Sequence, residues 1–163
     1  MAAGAASPVS PIALALGRIP SGLFIVTTQR GEQPVGFLGS FVMQVGFAPP
    51  TLSVAVGRER PHLADMRRTG RFALSILDPR SRGALAQFLR RFPEGESPFH
   101  GLPVQKTASG LTVLGDALAW IDCKVVGEFP TGDHVAIFGE VVGGALLREG
   151  EPSTHVRKNG LAY

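Results

Sequence analysis

The sequence predicts a mainly β chain: a six-stranded antiparallel barrel with three short helices around it. Three observations carry that prediction. The 21 glycines and 13 prolines are about a fifth of the 163 residues, which suits short strands broken by turns better than a helical bundle. Six segments have the β-branched and aromatic enrichment of strands. The helical segments between them do not follow the strand–helix–strand alternation that builds a parallel sheet. With 44% hydrophobic and 18% charged residues, the chain is not disordered along its length. One domain is expected, residues 12–163, behind a flexible tail at residues 1–11 rich in Ala, Gly, Ser and Pro.

Ser10-Pro11 joins an N-cap residue to a proline at the first helical position and opens a short helix that Pro20-Ser21-Gly22 ends. Leu23 to Thr28 is the first strand, turned at Arg30-Gly31-Glu32. Val35 to Phe47 reads as one longer second strand, bent at Gly36, Gly39 or Gly46, until Pro49-Pro50 stops it. Thr51 to Val56 alternates cleanly and forms the third. Pro61 to Thr69 suits a helix closed by Gly70. Arg71 to Leu77 is the fourth strand, and Ser81 to Arg91 the next helix. Phe92 to Gly115 shows little periodicity and reads as a long loop of the kind that usually serves function. Ala117 to Phe129 and Val135 to Leu147 are the last two strands, joined by Pro130-Thr131-Gly132-Asp133.

The usual chemical motifs are absent. No GxGxxG, GxxxxGK[ST], HExxH, CxxC or GxSxG occurs. The four histidines are widely spaced, so no metal site is expected. Cys123 alone excludes a disulfide framework and fits a reducing compartment. The apolar run from Pro11 to Val26 is interrupted by Arg18, Pro20 and Ser21, too soon to span a bilayer. The N-terminus lacks the basic and continuous apolar regions of a signal peptide, and a cytoplasmic protein is expected. Such a chain, poor in acid–base machinery, is left with ligand binding or with chemistry carried by a cofactor.

Charge is uneven. Nine arginines lie between Arg58 and Arg91 against Glu59, Asp65 and Asp78, a local balance of +6 in a chain of net charge +3. Such a field points either to a phosphate-bearing ligand or to a solvated helical face. Aromatics other than Phe72 and Phe88 are missing from the field, so nucleic acid is not the expected partner.

The runs ALGRIPSGLFIVTT, PVGFLGSFVMQVGFAPPTLSVAV, TGRFALSIL and GDALAWIDCKVVGEFPTGDHVAIFGEVV resemble, in order and spacing, the flavin reductase-like proteins of the FMN-binding split-barrel family. The wording of Phe41 to Pro50 is most similar to the flavin reductase modules of flavodiiron and rubredoxin-linked proteins. The resemblance implies a six-stranded Greek-key split barrel, a homodimer, and FMN bound in a cleft, with FAD the alternative. It implies hydride transfer from NADH or NADPH to flavin N5, and an electron-accepting protein or monooxygenase as partner. The rival implication is a non-catalytic FMN-binding electron-transfer module reduced by a partner protein.

Carried over by position, the resemblance assigns Phe37, Leu38, Gly39, Ser40 and Phe41 to the isoalloxazine and ribityl chain, largely through backbone, with Gly36 and Gly39 allowing close approach. Gln44 would meet the ribityl chain or phosphate. Ala55, Val56, Gly57, Arg58, Arg60 and His62 occupy the phosphate position, where two arginines precede a helix N-terminus. The bland alternative there is an Arg60–Asp65 surface pair. His134, in the GDH turn, would stand near the nicotinamide, or else serve only the turn. Phe88 and Arg91 fall in the flap over the flavin, where the arginines of FLRRF would attract dinucleotide phosphates. Lys158 would reach the partner subunit or lie on an exposed tail.

Overall fold

Period-2 alternation dominates the chain, and the computed structural model, which describes residues 9–162, turns it into sheet. Residues 1–8 of the tail expected at 1–11 lie outside the described residues; Ser10 already caps the first helix, which begins at Pro11. In chain order the elements are α1 (Pro11–Leu16), β1 (Ser21–Gly22), β2 (Phe24–Arg30), β3 (Gln33–Gly39), β4 (Val42–Phe47), β5 (Pro50–Gly57), α2 (Pro61–Thr69) and β6 (Arg71–Ile76). They continue with α3 (Arg82–Phe88), β7 (Val104–Lys106), β8 (Thr112–Leu114), β9 (Ala119–Thr131), β10 (His134–Leu146) and β11 (Thr154–His155).

Seven strands form one antiparallel sheet in the order β3-β2-β6-β9-β10-β5-β4. Its edge strands, β3 and β4, are consecutive in the chain and joined only by Ser40-Phe41. A sheet whose opposite edges are linked by two residues must curl until they meet. No ladder joins β3 to β4, so the curled sheet stays open at that seam. Val26, Phe37, Val54, Val56, Phe72 and Ile137 pack in its interior with Leu63 and Met66 of α2, all buried. A second core of Ile25, Leu77, Phe88, Phe99 and Leu114 packs between α3 and the chain that follows it, where the Phe88 and Phe99 rings meet at 5.1 Å.

The expected six strands are therefore seven. The run Val35 to Phe47 pairs first with β2, as Gly39 faces Phe24, and then with β5, as Val42 faces Val54. Periodicity registers a strand but not a change of partner. The expected loop from Phe92 to Gly115 contains the β7–β8 hairpin, whose three-residue strands are too short to show a period. Helix α3 stops at Phe88, short of Arg91.

Two features fix the scaffold. Gly139 sits where an added Cβ would lie 2.5 Å from the Phe72 ring and 2.8 Å from Cys123 Cβ, so the core admits no side chain there. Gly139→Ala is expected to lower stability by about 1–3 kcal/mol through overpacking, measured as a reduced urea midpoint. The second feature is Asp78, just after β6, with a side chain 1% exposed. Arg148 Nη2 donates to its Oδ1 at 2.6 Å and Arg80 Nε to its Oδ2 at 3.1 Å, which ties the β6–α3 connection to the chain leaving β10.

Candidate functional site

A cleft of about 1310 Å³ opens along β3. Six consecutive residues, Val35, Gly36, Phe37, Leu38, Gly39 and Ser40, line it. A strand face would expose alternate residues, so the wall is the edge of β3, where the backbone N–H and C=O groups not used by β2 are available. Arg60, Pro61 and His62, entering α2, close one end. Phe88 and Arg90 border another side with the chain from Phe92 to Pro98, which Gln87 pins by donating to Pro98 O at 2.7 Å and His100 O at 2.9 Å.

The remaining wall is a C-terminal strap, His155 to Asn159. It is fastened at three places: β11 pairs with β1, Arg18 Nη2 donates to Arg157 O at 2.9 Å, and Gly160 N donates to Ala13 O at 2.7 Å.

Two cleft residues carry buried polar atoms without a partner, as do Thr27, Asp116 and Asp122 elsewhere. Ser40 is 6% exposed, and its Oγ is buried without a hydrogen-bond partner in the protein. His62 Nδ1 is likewise buried and unpartnered. The Phe37 ring lies 5.0 Å from the His62 ring and 5.2 Å from Arg60 Cζ. Burial, followed by the charges of Arg60 and Arg30, pushes His62 down to about 4, so its imidazole is neutral at pH 7. Arg30 also lines the cleft, but its guanidinium is bound by Asp65 at 2.7 Å. Burial opposes the Asp65 charge, yet hydrogen bonds from Arg30 and Arg68 outweigh it and hold the carboxyl below its usual range. Asp65 pairs with these two arginines and not with Arg60, whose side chain faces the cleft.

The structure thus gathers Phe37, Leu38, Gly39, Ser40, Arg60, His62 and Phe88 on one cleft and places the other expected residues elsewhere. Val56 is buried in the interior core, while Ala55 and Gly57 alternate to the other face of β5. Arg58 turns away: its Nε donates to Gly132 O and its backbone N–H to Asp133 O, which holds the β9–β10 turn. Gln44 donates to Gly46 O at 3.1 Å on the exposed strand β4. Arg91 is exposed and off the cleft lining. His134 pairs across the sheet with Gly57, and its Nδ1 lies 2.8 Å from Asp133 Oδ1. Its ring meets the edge of Phe41 at 5.7 Å, and Arg157 stands over Phe41 at 4.7 Å; neither His134 nor Phe41 lines the cleft.

Much of the basic run is used internally. Arg58, Arg67, Arg68, Arg71 and Arg80 bond to carboxylates or carbonyls within the chain. Arg60 and Arg90 are the members of that run that line the cleft. Gly36 and Gly39, both on the cleft, also serve the packing of the sheet. A Cβ at Gly36 would lie 2.9 Å from Val26 O, and one at Gly39 would lie 3.0 Å from Val26 Cγ2. They let β3 sit tightly on β2, and Gly36 also leaves room for the Phe88 and Phe99 rings. Arg90 of FLRRF lines the cleft as the resemblance implies, and Lys158 lines it too; Arg30 and the strap residue Arg157 are wall residues that no motif marks.

Residues 16–160 match the family described as flavin reductase like domain. The chain belongs to that family. It is 37% identical over 156 residues to diflavin flavoprotein A 1 of Synechocystis sp., in agreement with the expected flavodiiron-linked branch. That match covers 94% of this chain but 27% of the relative, so the chain spans about a quarter of the length of such relatives. Among solved structures, nitrilotriacetate monooxygenase component B from Mycobacterium thermoresistibile superposes with a TM-score of 0.83 at 27% identity, covering 90% of this chain and 82% of that one. The flavin reductase PheA2 superposes at 0.78 with 25% identity, covering 89% and 91%. Among the described residues no helix is long and apolar enough to cross a membrane.

Proposed function

We propose that this chain is an NAD(P)H-dependent flavin reductase that holds FMN in the β3 cleft. The observation that carries the reading is the free edge of β3 along the cleft, with Arg60 beside it at the start of α2. Unpaired backbone N–H and C=O groups next to a cation suit a ligand with imide, carbonyl and phosphate groups. The flavin, when bound, supplies the redox chemistry: its N5 accepts a hydride from C4 of the nicotinamide.

The chain's own residues bind and orient. Edge groups of β3 offer backbone donors and acceptors, and Phe37, Leu38 and Phe88 supply apolar surface. Arg60 stands at the N-cap of α2, which has no side-chain cap, so its charge and the helix dipole both favour a phosphate there. In this reading His134, held against Asp133, orients the nicotinamide. His134→Ala is expected to reduce NAD(P)H turnover on the order of 10- to 100-fold while FMN affinity stays within about twofold. Unchanged turnover would remove His134 from the reaction.

The rival reading, an electron-transfer module reduced by a partner protein, draws on one observation: His134 stands off the cleft lining, behind Phe41. An anaerobic absorption titration of the FMN-loaded protein with NADH, and again with NADPH, decides between them. Bleaching faster than that of free FMN supports the reductase and names the donor. A flavin that binds and stays oxidised with both donors supports the module.

We assign the chain to a homodimer in the cytoplasm that passes electrons to a separate acceptor protein or monooxygenase. The homodimer is supported by Met43, Val45, Phe47, Phe129 and Val142, large apolar side chains left exposed on β4, β9 and β10, with Phe47 90% exposed. Light scattering is expected to return twice the 17.2 kDa chain mass. A monomer at micromolar concentration contradicts the assignment.

A further inference from the structure

Two carboxylates line a cleft whose other charged wall residues are cationic. Glu94 and Glu96 share it with Arg30, Arg60, Arg90 and Lys158, and neither glutamate forms an ion pair among the described residues. The two flank Gly95 at the tip of the chain that runs from Phe92 to Pro98. Gly95 takes a positive φ of 88°, and the Glu96 N–H donates to Pro93 O at 3.1 Å, so the tip is a tight turn. Gln33, the first residue of β3, donates from Nε2 to Gly95 O at 3.0 Å. Gln87 holds the far end at Pro98 O and His100 O. The backbone between the two glutamates is therefore tied to the strand whose edge forms the cleft wall, and their charge stays at the β2–β3 end.

That end is also where the cations of α2 act. The Asp65 hydrogen bond pushes the Arg30 guanidinium up against the effect of burial, and the charges of Asp65 and then Glu94 push it the same way. Arg30 and Arg60 in turn both act on His62. Glu94, Arg30, His62 and Arg60 thus share one electrostatic neighbourhood at the start of α2. Arg30 is already bound by Asp65 at 2.7 Å, so it has little charge left to answer Glu94. Arg60 has no carboxylate partner among the described residues. An anion seated at Arg60 therefore meets one unspent cation and one unspent carboxylate.

We propose, on the basis of the flavin reading, that Glu94 is an electrostatic brake on phosphate binding: it opposes the FMN phosphate at Arg60, loosens the bound flavin and speeds its exchange. Glu96, on the other side of Gly95, adds a weaker effect of the same sign. A like charge held at the rim of a site lowers the affinity for its ligand without removing any contact to it. Because Glu94 is exposed, the repulsion is screened by water and by salt, and its size is modest.

Binding and release of FMN and of riboflavin, which lacks the phosphate, are measured by fluorescence for the full chain and its E94Q, E94A, E94D and E96Q variants. The substituted side chains are exposed, so unfolding midpoints should not move. E94Q and E94A are expected to bind FMN about three- to tenfold more tightly than the parent, chiefly through slower release, and riboflavin within about twofold. E96Q should show a smaller gain. E94D keeps the charge and should match the parent. Salt at about 1 M, which screens charges beyond roughly 3 Å, should close most of the gap seen at about 0.01 M. FMN affinity unchanged in both E94Q and E94A overturns the brake, as does a gain shared equally by riboflavin or by E94D, since the flap would then act by shape. A parent that binds neither flavin overturns the flavin reading, and inorganic phosphate becomes the probe. Tighter phosphate binding by E94Q would then leave the brake standing, and unchanged phosphate binding would overturn it too.

Discussion

Arg60→Ala is expected to weaken FMN binding by about 10- to 100-fold, the loss of one hydrogen-bonded charge against a phosphate worth roughly 1.5–3 kcal/mol. Riboflavin, which has the ring and ribityl chain but no phosphate, should bind the variant and the parent alike. The comparison isolates the phosphate from the stacking surface. Arg58→Ala makes the contrast, since two residues of sequence separate the arginines but the structure sends them to different places. Arg58 is spent on Gly132 O in the β9–β10 turn, so its loss should leave FMN affinity within about twofold. Fluorescence quenching titrations of the two variants with FMN and riboflavin read all four values. Equal losses for FMN and riboflavin in Arg60→Ala would show that the residue acts by packing on Phe37 and not on phosphate.

The second large effect is on stability. Asp78→Ala removes the acceptor shared by Arg80 and Arg148 and frees the β6–α3 connection from the end of β10. Hydrogen bonds to a charged group contribute roughly 1.5–3 kcal/mol each, and both arginines regain some water here, so a loss of about 2–3 kcal/mol is expected. For a domain of this size that corresponds to a melting temperature lower by roughly 5–10 °C. Scanning calorimetry measures it, and a shift under about 2 °C would show the knot to be structurally idle.

Acid reports the same knot in the parent. The Arg148 hydrogen bonds hold the Asp78 carboxyl far below the usual carboxylate range, even though burial opposes its charge. Its folded value lies below its unfolded one, so its contribution is complete above the unfolded value of 3.8 and is lost as pH falls below it. His62 adds a second step at higher pH. Its folded value, about 4, lies below the unfolded 6.5, so the unfolded chain takes the proton first and stability falls as pH drops from 6.5 towards 4. Urea midpoints measured from pH 7.5 to 3 should show two phases in the parent, and His62→Phe should flatten the upper one.

Much of the fold was legible because it depends on short-range rules. Pro61 and Gly70 bracket α2 as the sequence predicts, and Gly70 takes the positive φ of 64° that a helix C-terminus with glycine favours. The alternation of Thr51 to Val56 fixes which side chains of β5 turn inward. Other features were hidden because they concern partners. Nothing local in Val35 to Phe47 announces that its first half pairs with β2 and its second with β5. The candidate site divides in the same way. Ser40, His62 and Arg60 belong to segments recognisable by their wording, and all line the cleft. Arg58 has the same wording but is turned aside by a carbonyl 74 residues away.

By itself the sequence determined an antiparallel β protein with α2 and α3 near the places predicted, and a family relationship across residues 16–160. Alternation, caps and turn residues are read within a few positions of one another, so one dimension suffices for them. Only the tertiary structure decided that the sheet has seven strands open at one seam, and which arginines are spent and which face the cleft. It also decided that the C-terminal strap is a wall of the site. Lys158 comes to the same cleft as Gly36 because β11 pairs with β1 and Gly160 packs on α1, contacts between chain ends more than a hundred residues apart. Long-range pairing of this kind is set by which surfaces exclude water together, and no local pattern encodes it.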